Sequence, residues 1–454
     1  MFLVLFLLPL LLLFILAFKH TQRKRASHRI TLAEDNNLRH IELQDLTAKF
    51  GTFFALTGQN GGNEFVTSDP AVADEVFSKK FFAFGDRKGF HSHAGHVFVA
   101  SGGHWKELRK RVSFVNAKSR LKPLEPLLRD SVGPMLGKME TNVGKVFDFH
   151  ITSLHMTAGV LARMAFCTAQ PCRLLDQFCE TYTDFAEQLL LAKELARLSP
   201  QRNTCALPRA IEDGAREKQM NVDLFMELYK HIKEMEKQKQ NEDCDKVDVD
   251  DLDQMAQSIG TLFLENAMKS VGIDTIGHCL ALLVHFLAQH PDVQQELRDE
   301  LLKGDDDPPL LMATVKETLR LCPIVSFANT RDCTSPVTLS NGAKVNIGDS
   351  VVVDVFSMGQ NRAFWGEDAH KFSPQRWLAE EPCDNLRRHW LAFGLGPRSC
   401  VGKQMAEDLL KIAITTIFYR FRISSEEEKC VHLVGADVLW PEKVLIRAEI
   451  VEEV

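Results

Sequence analysis

FGLGPRSCVG, residues 393–402, is the stretch whose reading decides this chain. It wraps Cys400 in Gly394, Gly396 and Gly402, with Arg398 two residues before the sulfur. Glycine permits tight turns and close approach where a Cβ would obstruct, so the loop suits a backbone bent around a flat partner. A thiolate presented beside a fixed cation is suited to axial ligation of haem iron. The competing reading is a glycine-rich turn around a buried free thiol, because an unpaired cysteine usually acts as a small apolar filler.

Working outward, the other ten of the eleven cysteines are scattered singly, and no C-x-x-C pair occurs. That spacing argues against a zinc site or a thioredoxin-like motif, and odd, scattered thiols fit a reducing compartment. A net charge of −7 leaves no basic field for nucleic acid, and no nucleic-acid partner is expected. With 45% hydrophobic and 25% charged residues, the 454-residue chain falls among packed globular proteins.

Residues 2–18, FLVLFLLPLLLLFILAF, form an uncharged apolar run. As a helix it would be about 25 Å long, the short end of what spans a bilayer. Lys19, Arg23, Lys24 and Arg25 follow it and no basic residue precedes it, which keeps the following flank cytosolic. Phe18-Lys19-His20 is a poor signal-peptidase site. The expectation is an uncleaved single-pass anchor at 2–18, a basic and polar linker running into the catalytic domain at 19–49, and the domain itself at 50–454.

Within that domain, TFFALTG and NEFVTSD read as strands at 50–74. Helical spacing dominates from 104 to 235, interrupted near Pro171 and around 199–208, and the charge-rich stretch 234–254 reads as a solvated linker. A long helix from Asp250 to His290, apolar nearly all round, should cross the core. Gly272 and Gly277 inside it call for a packing or functional reason. Helices are predicted after Pro291, over 311–322 and over 403–420, and a hairpin over 337–356 turning at Asn341-Gly342. No β-α-β alternation suggests a parallel sheet. The fold class is therefore mainly α: a single large helical domain with small, local sheets behind the anchor.

Four further constellations carry chemistry. Trp105 and Arg109 are spaced i, i+4 and share a helix face; both can donate to a carboxylate. Asp274 and Thr275 form an acid–alcohol pair beside Gly272. Glu317 and Arg320, at i, i+3, can pair on one face, and Arg376 follows in FSPQRW. Arg331 lies in ANTRDC. Each has an ordinary structural reading, from a Trp packed under an Arg stem to a local surface bridge.

Phe393, Gly396, Arg398, Cys400 and Gly402 match F-x-x-G-x-R-x-C-x-G at all five fixed positions. With the E-x-x-R helix and the other motifs in order over 105–402, the chain resembles the cytochrome P450 haem-thiolate monooxygenases. The resemblance implies Cys400 as axial ligand of haem b, with Phe393 and Gly402 also against the cofactor. It implies Trp105, Arg109, Arg331 and Arg398 on the propionates, and Asp274 and Thr275 as a proton relay during O2 activation. Glu317, Arg320 and Arg376 would be a structural lock behind the cysteine loop. Electrons would come from NADPH through a separate membrane-bound flavoprotein reductase, since no nucleotide-binding motif is placed here. Lys106, Lys110 and Arg111 are either its docking patch or a solvated face.

The implied location is the endoplasmic reticulum membrane, with a lipophilic small molecule entering from the bilayer. The stretches GHVFVASGGHWKELRKRVSF and FGLGPRSCVGKQMA look most like the fatty-acid hydroxylase branch. A sterol or other lipophile hydroxylase, a non-redox haem isomerase or dehydratase, and a degenerate haem-binding protein stay open. Val271, Ile276 and Gln375 depart from the family pattern, the segment 303–316 is short, and no proline-rich hinge follows the apolar run.

Overall fold

The computed structural model describes residues 39–57, 62–87, 97–98, 100–115, 125–166, 272–304, 308–326, 329–378, 384–426, 432–435 and 438–451. The apolar run 2–18, the interruptions near Pro171 and 199–208, the charged stretch 234–254 and the first half of the long helix lie outside them. Among the described residues no helix is long and apolar enough to cross a membrane.

Eight helices matter for the site: α1 (Arg39–Phe50), α2 (Gly102–Val115), α3 (Glu125–Thr141), α4 (Phe149–Phe166), α5 (Asp274–Gln289), α6 (Pro291–Leu302), α7 (Pro309–Leu321) and α8 (Lys403–Arg420). The described part of the predicted long helix is α5, entered through a π-helical turn at Gly272–Ile273. Twelve of its sixteen residues are buried, as an all-round apolar helix requires. It packs on α4, α7 and α8 at the middle of the main core. Gly277 is explained here: a Cβ there would meet Leu154 of α4 at 2.8 Å, and the Ser153 hydroxyl donates to the Gly277 carbonyl at 2.8 Å. The missing side chain lets two helices touch.

Strands are short but not local. The two expected strands, β1 (Phe53–Thr57) and β2 (Asn63–Thr67), pair antiparallel as a hairpin. β3 (Val146–Asp148) pairs with β11 (Leu445–Ile450), which also pairs with β8 (Phe421–Ser425). The predicted hairpin over 337–356 shrinks to β5 (Val337–Thr338) and β6 (Lys344–Val345). β7 (Ser350–Val353) leaves it, pairing in parallel with β2 and antiparallel with β4 (Arg331–Asp332). All four residues of β7 are buried, and its run of three valines belongs in a sheet covered on both faces rather than in an exposed hairpin. β9 (Leu433–Val434) and β10 (Trp440–Pro441) complete a fold that is mostly helical with small sheets.

Candidate functional site

Chain geometry first fixes the cysteine loop. Gly394 and Gly396 have φ of 69° and 71°, the left-handed region that favours glycine. A Cβ on Gly396 would lie well inside van der Waals contact distance of the Phe77 carbonyl oxygen. The close approach expected of these glycines is therefore, at Gly396, an approach to the protein's own backbone. Gly402 differs: its φ is −87°, and the nearest atom to an added Cβ is Met405 Cε at 3.9 Å. The Cys400 N–H donates to the Phe393 carbonyl at 2.7 Å, closing the loop. The Gly402 N–H donates to the Cys400 sulfur.

Of the free cysteines described, Cys279, Cys322 and Cys333 are buried and Cys400 is exposed. Burial nonetheless pushes the Cys400 thiol up, opposed by the Gly402 N–H, Arg109, Arg87 and Lys403. The residue is exposed to solvent yet its sulfur is largely surrounded by protein. Four donors or cations are set to favour its thiolate.

Around it converge four guanidinium groups. Arg109 Nη1 donates to the Ser399 carbonyl at 2.6 Å. Arg398 donates to Ala100 O at 2.6 Å and Phe98 O at 3.3 Å, lies 4.6 Å over the Trp105 ring, and approaches Asp86 at 3.8 Å. Arg331 is buried in β4, 4.8 Å over the Phe77 ring. Arg87 donates to the Arg398 carbonyl at 3.3 Å and lies 3.8 Å over Phe98. Mutual repulsion and burial register in their acidity. Burial lowers Arg398 to about 10, with Asp86 opposing and Arg109 adding. Burial, then Arg398, lowers Arg331 to about 9. Arg87 is lowered well below its usual value, by burial first and then by Arg331 and Arg398.

These cations are short of anions. Buried Arg87 Nε and Nη1 and Arg398 Nε find no hydrogen-bond partner among the described residues, a state that costs free energy unless a ligand satisfies them. A flat group with two carboxylates, placed over a thiolate, satisfies both halves of the site; the residues present fit haem b. Arg87 escaped the sequence reading because a lone arginine in FGDRKGF carries no spacing signal. Only the fold brings it to Arg398.

Behind the loop, Glu317 and Arg320 of α7 are fully buried. Glu317 accepts from Arg320 Nε and Nη2, both at 2.8 Å, Arg376 Nε at 2.8 Å, Trp377 Nε1 at 2.9 Å and the Ser373 N–H at 2.9 Å. Arg320 Nη1 donates to Gly359 O and Ala369 O, each at 2.6 Å. Gln375 stands outside this cluster, donating to Glu296 at 3.1 Å on the surface. Trp390 Nε1 donates to Lys316 O at 3.0 Å, tying α7 to the residues just before the cysteine loop.

Asp274 and Thr275 are half-buried in the first turn of α5. Lys106 and Lys110 are exposed on α2; the Arg111 side chain and Val271 lie outside what is described. So Cys400, Phe393, Gly402, Trp105, Arg109, Arg331 and Arg398 share one region, while Glu317, Arg320 and Arg376 form a second behind it.

A family model described as Cytochrome P450 matches residues 29–445. Two Caenorhabditis elegans proteins named as cytochromes P450, CYP13A6 and cyp-13B1, are 25% and 26% identical to the chain. The alignments cover 92% and 91% of this chain and 91% and 90% of theirs. A third nematode protein so named, CYP13A10, is 34% identical over 38% of this chain and 36% of its own.

Proposed function

Since the chain belongs to the cytochrome P450 family and is a monooxygenase, we propose that it hydroxylates a lipophilic substrate, a long-chain fatty acid first among them, with Cys400 as axial ligand of haem b. The observation that carries the site assignment is the cluster of Arg87, Arg331 and Arg398, with Arg109 bonded to the Ser399 carbonyl, beside an exposed Cys400.

When bound, haem supplies the iron at which O2 is activated for insertion into a C–H bond. The residues of the chain do the rest. Cys400 binds as the thiolate, favoured by the Gly402 N–H and by Arg87, Arg109 and Lys403. The four arginines, with Trp105 under Arg398, orient the propionates and offset their charge in a partly buried setting where such pairing is strong. Asp274 and Thr275 carry protons on the α5 side, as the family pattern implies. Glu317, Arg320 and Arg376 keep the loop in register.

Support for a fatty acid comes from the quoted stretches that look like that branch, and support for an anchored, cytosol-facing enzyme of the endoplasmic reticulum from the run at 2–18 and its basic flank. Electrons then come from NADPH through a membrane-bound flavoprotein reductase. Gln375, one ground for a degenerate protein, loses its force, because its side chain lies outside the lock. A reduced-plus-CO difference spectrum tests the ligation, and a thiolate-type Soret band is expected. Reductase-dependent turnover across fatty acids, sterols and other lipophiles tests the substrate; oxidation of sterols alone would overturn the fatty-acid reading.

A further inference from the structure

Three of the five tryptophans in the chain are in consecutive ring contact and end at the cysteine loop. Trp365 lies 5.6 Å from Trp377, Trp377 lies 6.0 Å from Trp390, and Trp390 lies 5.9 Å from Phe393, centroid to centroid. Phe393 is the residue whose carbonyl accepts the Cys400 N–H. We propose that Trp390 and Trp377, with Trp365 packed beyond them, form an electron relay that returns electrons to the cysteine-ligated centre when its oxidising equivalent finds no substrate, leaving the oxidised site on Trp377.

Indole is the readily oxidised side chain here, and ring-to-ring contact shortens each electron step. The electrostatics choose the resting place. Each ring has a cation over it: Lys403 at 5.8 Å from Trp390, Lys316 at 5.9 Å from Trp377 and Arg320 at 5.0 Å from Trp365. A cation favours the neutral, electron-rich ring and opposes the positive charge left when an electron departs. Trp365 and Trp390 donate their N–H to neutral carbonyls, of Met358 and Lys316. Trp377 alone donates to a carboxylate, that of Glu317 at 2.9 Å; Arg320 and Arg376 share that carboxylate, yet an ionised acceptor on the indole N–H supports the positive charge of the oxidised ring better than a neutral carbonyl does. Trp377 is also only half-buried, so a solution thiol or ascorbate can restore it.

The balance is one electron per step. Trp377 loses one electron through Trp390 to the oxidised centre, and its indole proton stays in the hydrogen bond to Glu317. An external one-electron reductant of the thiol or ascorbate class then refills Trp377. The proposal rests on the haem-thiolate reading.

The full-length holoenzyme, with its CO difference band recorded first, would be treated with a few equivalents of hydrogen peroxide in the absence of organic substrate. Freeze-quench electron paramagnetic resonance and peptide mass mapping then read where oxidation falls. The expected result is a tryptophan radical narrowed by deuterated tryptophan, and oxygenated Trp377 at several times the level of Trp440. Trp390→Phe, which leaves the contacts to Glu317 intact, should cut Trp377 oxidation at least severalfold. Equal oxidation of Trp377 and Trp440, or no effect of Trp390→Phe, overturns the relay. Absence of the CO band overturns the haem-thiolate reading instead.

Discussion

Arg87 donates to the carbonyl of Arg398, so one guanidinium of the site is placed by the backbone of another. That arrangement sets like charges side by side in a buried place, and a like-charged neighbour disfavours the charged form.

A consequence of opposite signs follows for Arg87→Gln. Without haem, removing the most strained cation relieves burial and repulsion, so the haem-free protein should be no less stable than wild type and somewhat more so. With haem, the variant loses a charged donor, a contact worth ~1.5–3 kcal/mol. Haem should therefore leave roughly tenfold faster or more. Transfer to an apo-globin acceptor measures the second effect and denaturant unfolding the first. Loss of stability in the haem-free variant would show that Arg87 is a structural residue instead.

Glu317→Gln leaves buried Arg320 and half-buried Arg376 without their shared charge. Glu317 accepts five hydrogen bonds, and the amide can accept only at its oxygen. Breaking one partner of a buried charge network costs ~3–5 kcal/mol. The expected outcome is a lower urea midpoint and loss of the thiolate-type CO band in whatever fraction still folds. Gln375→Ala is the comparison, since its bond to Glu296 lies at the surface; it should stay within about 0.5 kcal/mol of wild type.

His150 of α4 and His278 of α5 share a 2.8 Å hydrogen bond in the core. Burial lowers His150 to about 3 from 6.5. Because the folded value lies below the unfolded one, the unfolded chain takes up the proton first as pH falls. The stability contribution is complete above the unfolded value and is lost on the way down toward the folded one. By about pH 4.5 the loss should be roughly 2–3 kcal/mol. Replacing His150 with Phe should flatten the slope of stability against pH in this range by one proton; an unchanged slope would assign the acid sensitivity elsewhere.

What sequence could and could not disclose divides along a physical line. Cys400, Arg398 and Gly396 were legible because a short loop must satisfy several constraints within ten residues. Glu317 and Arg320 were legible because helical spacing puts them on one face. The contact from Arg376 to Glu317 was expected only through the family resemblance, since 59 residues separate the two. Arg87 and the parallel pairing of β2 with β7 left no local trace, because partners far apart in sequence set them. Ser350–Val353 alternates neither as a half-buried hairpin arm nor as a helix, and its three consecutive valines mark a buried strand without naming its partner. The ring contacts linking Trp365, Trp377 and Trp390 are likewise a product of packing, not of spacing.

The loop glycines separate fold from ligand. Gly396→Ala would force an L residue to a φ of 71° and drive its Cβ into the Phe77 carbonyl. Strain and overpacking together should cost at least about 2 kcal/mol, with or without haem. Gly402→Ala meets ordinary φ and an atom no nearer than 3.9 Å, so the haem-free protein should hold its stability within about 1 kcal/mol. If Gly402 lacks a side chain because the cofactor lies against it, this variant should fold normally yet retain haem poorly. Thermal unfolding of the haem-free proteins and haem titration of each give the two readings. Normal haem retention in Gly402→Ala would show that the glycine serves the turn into α8 and not the cofactor.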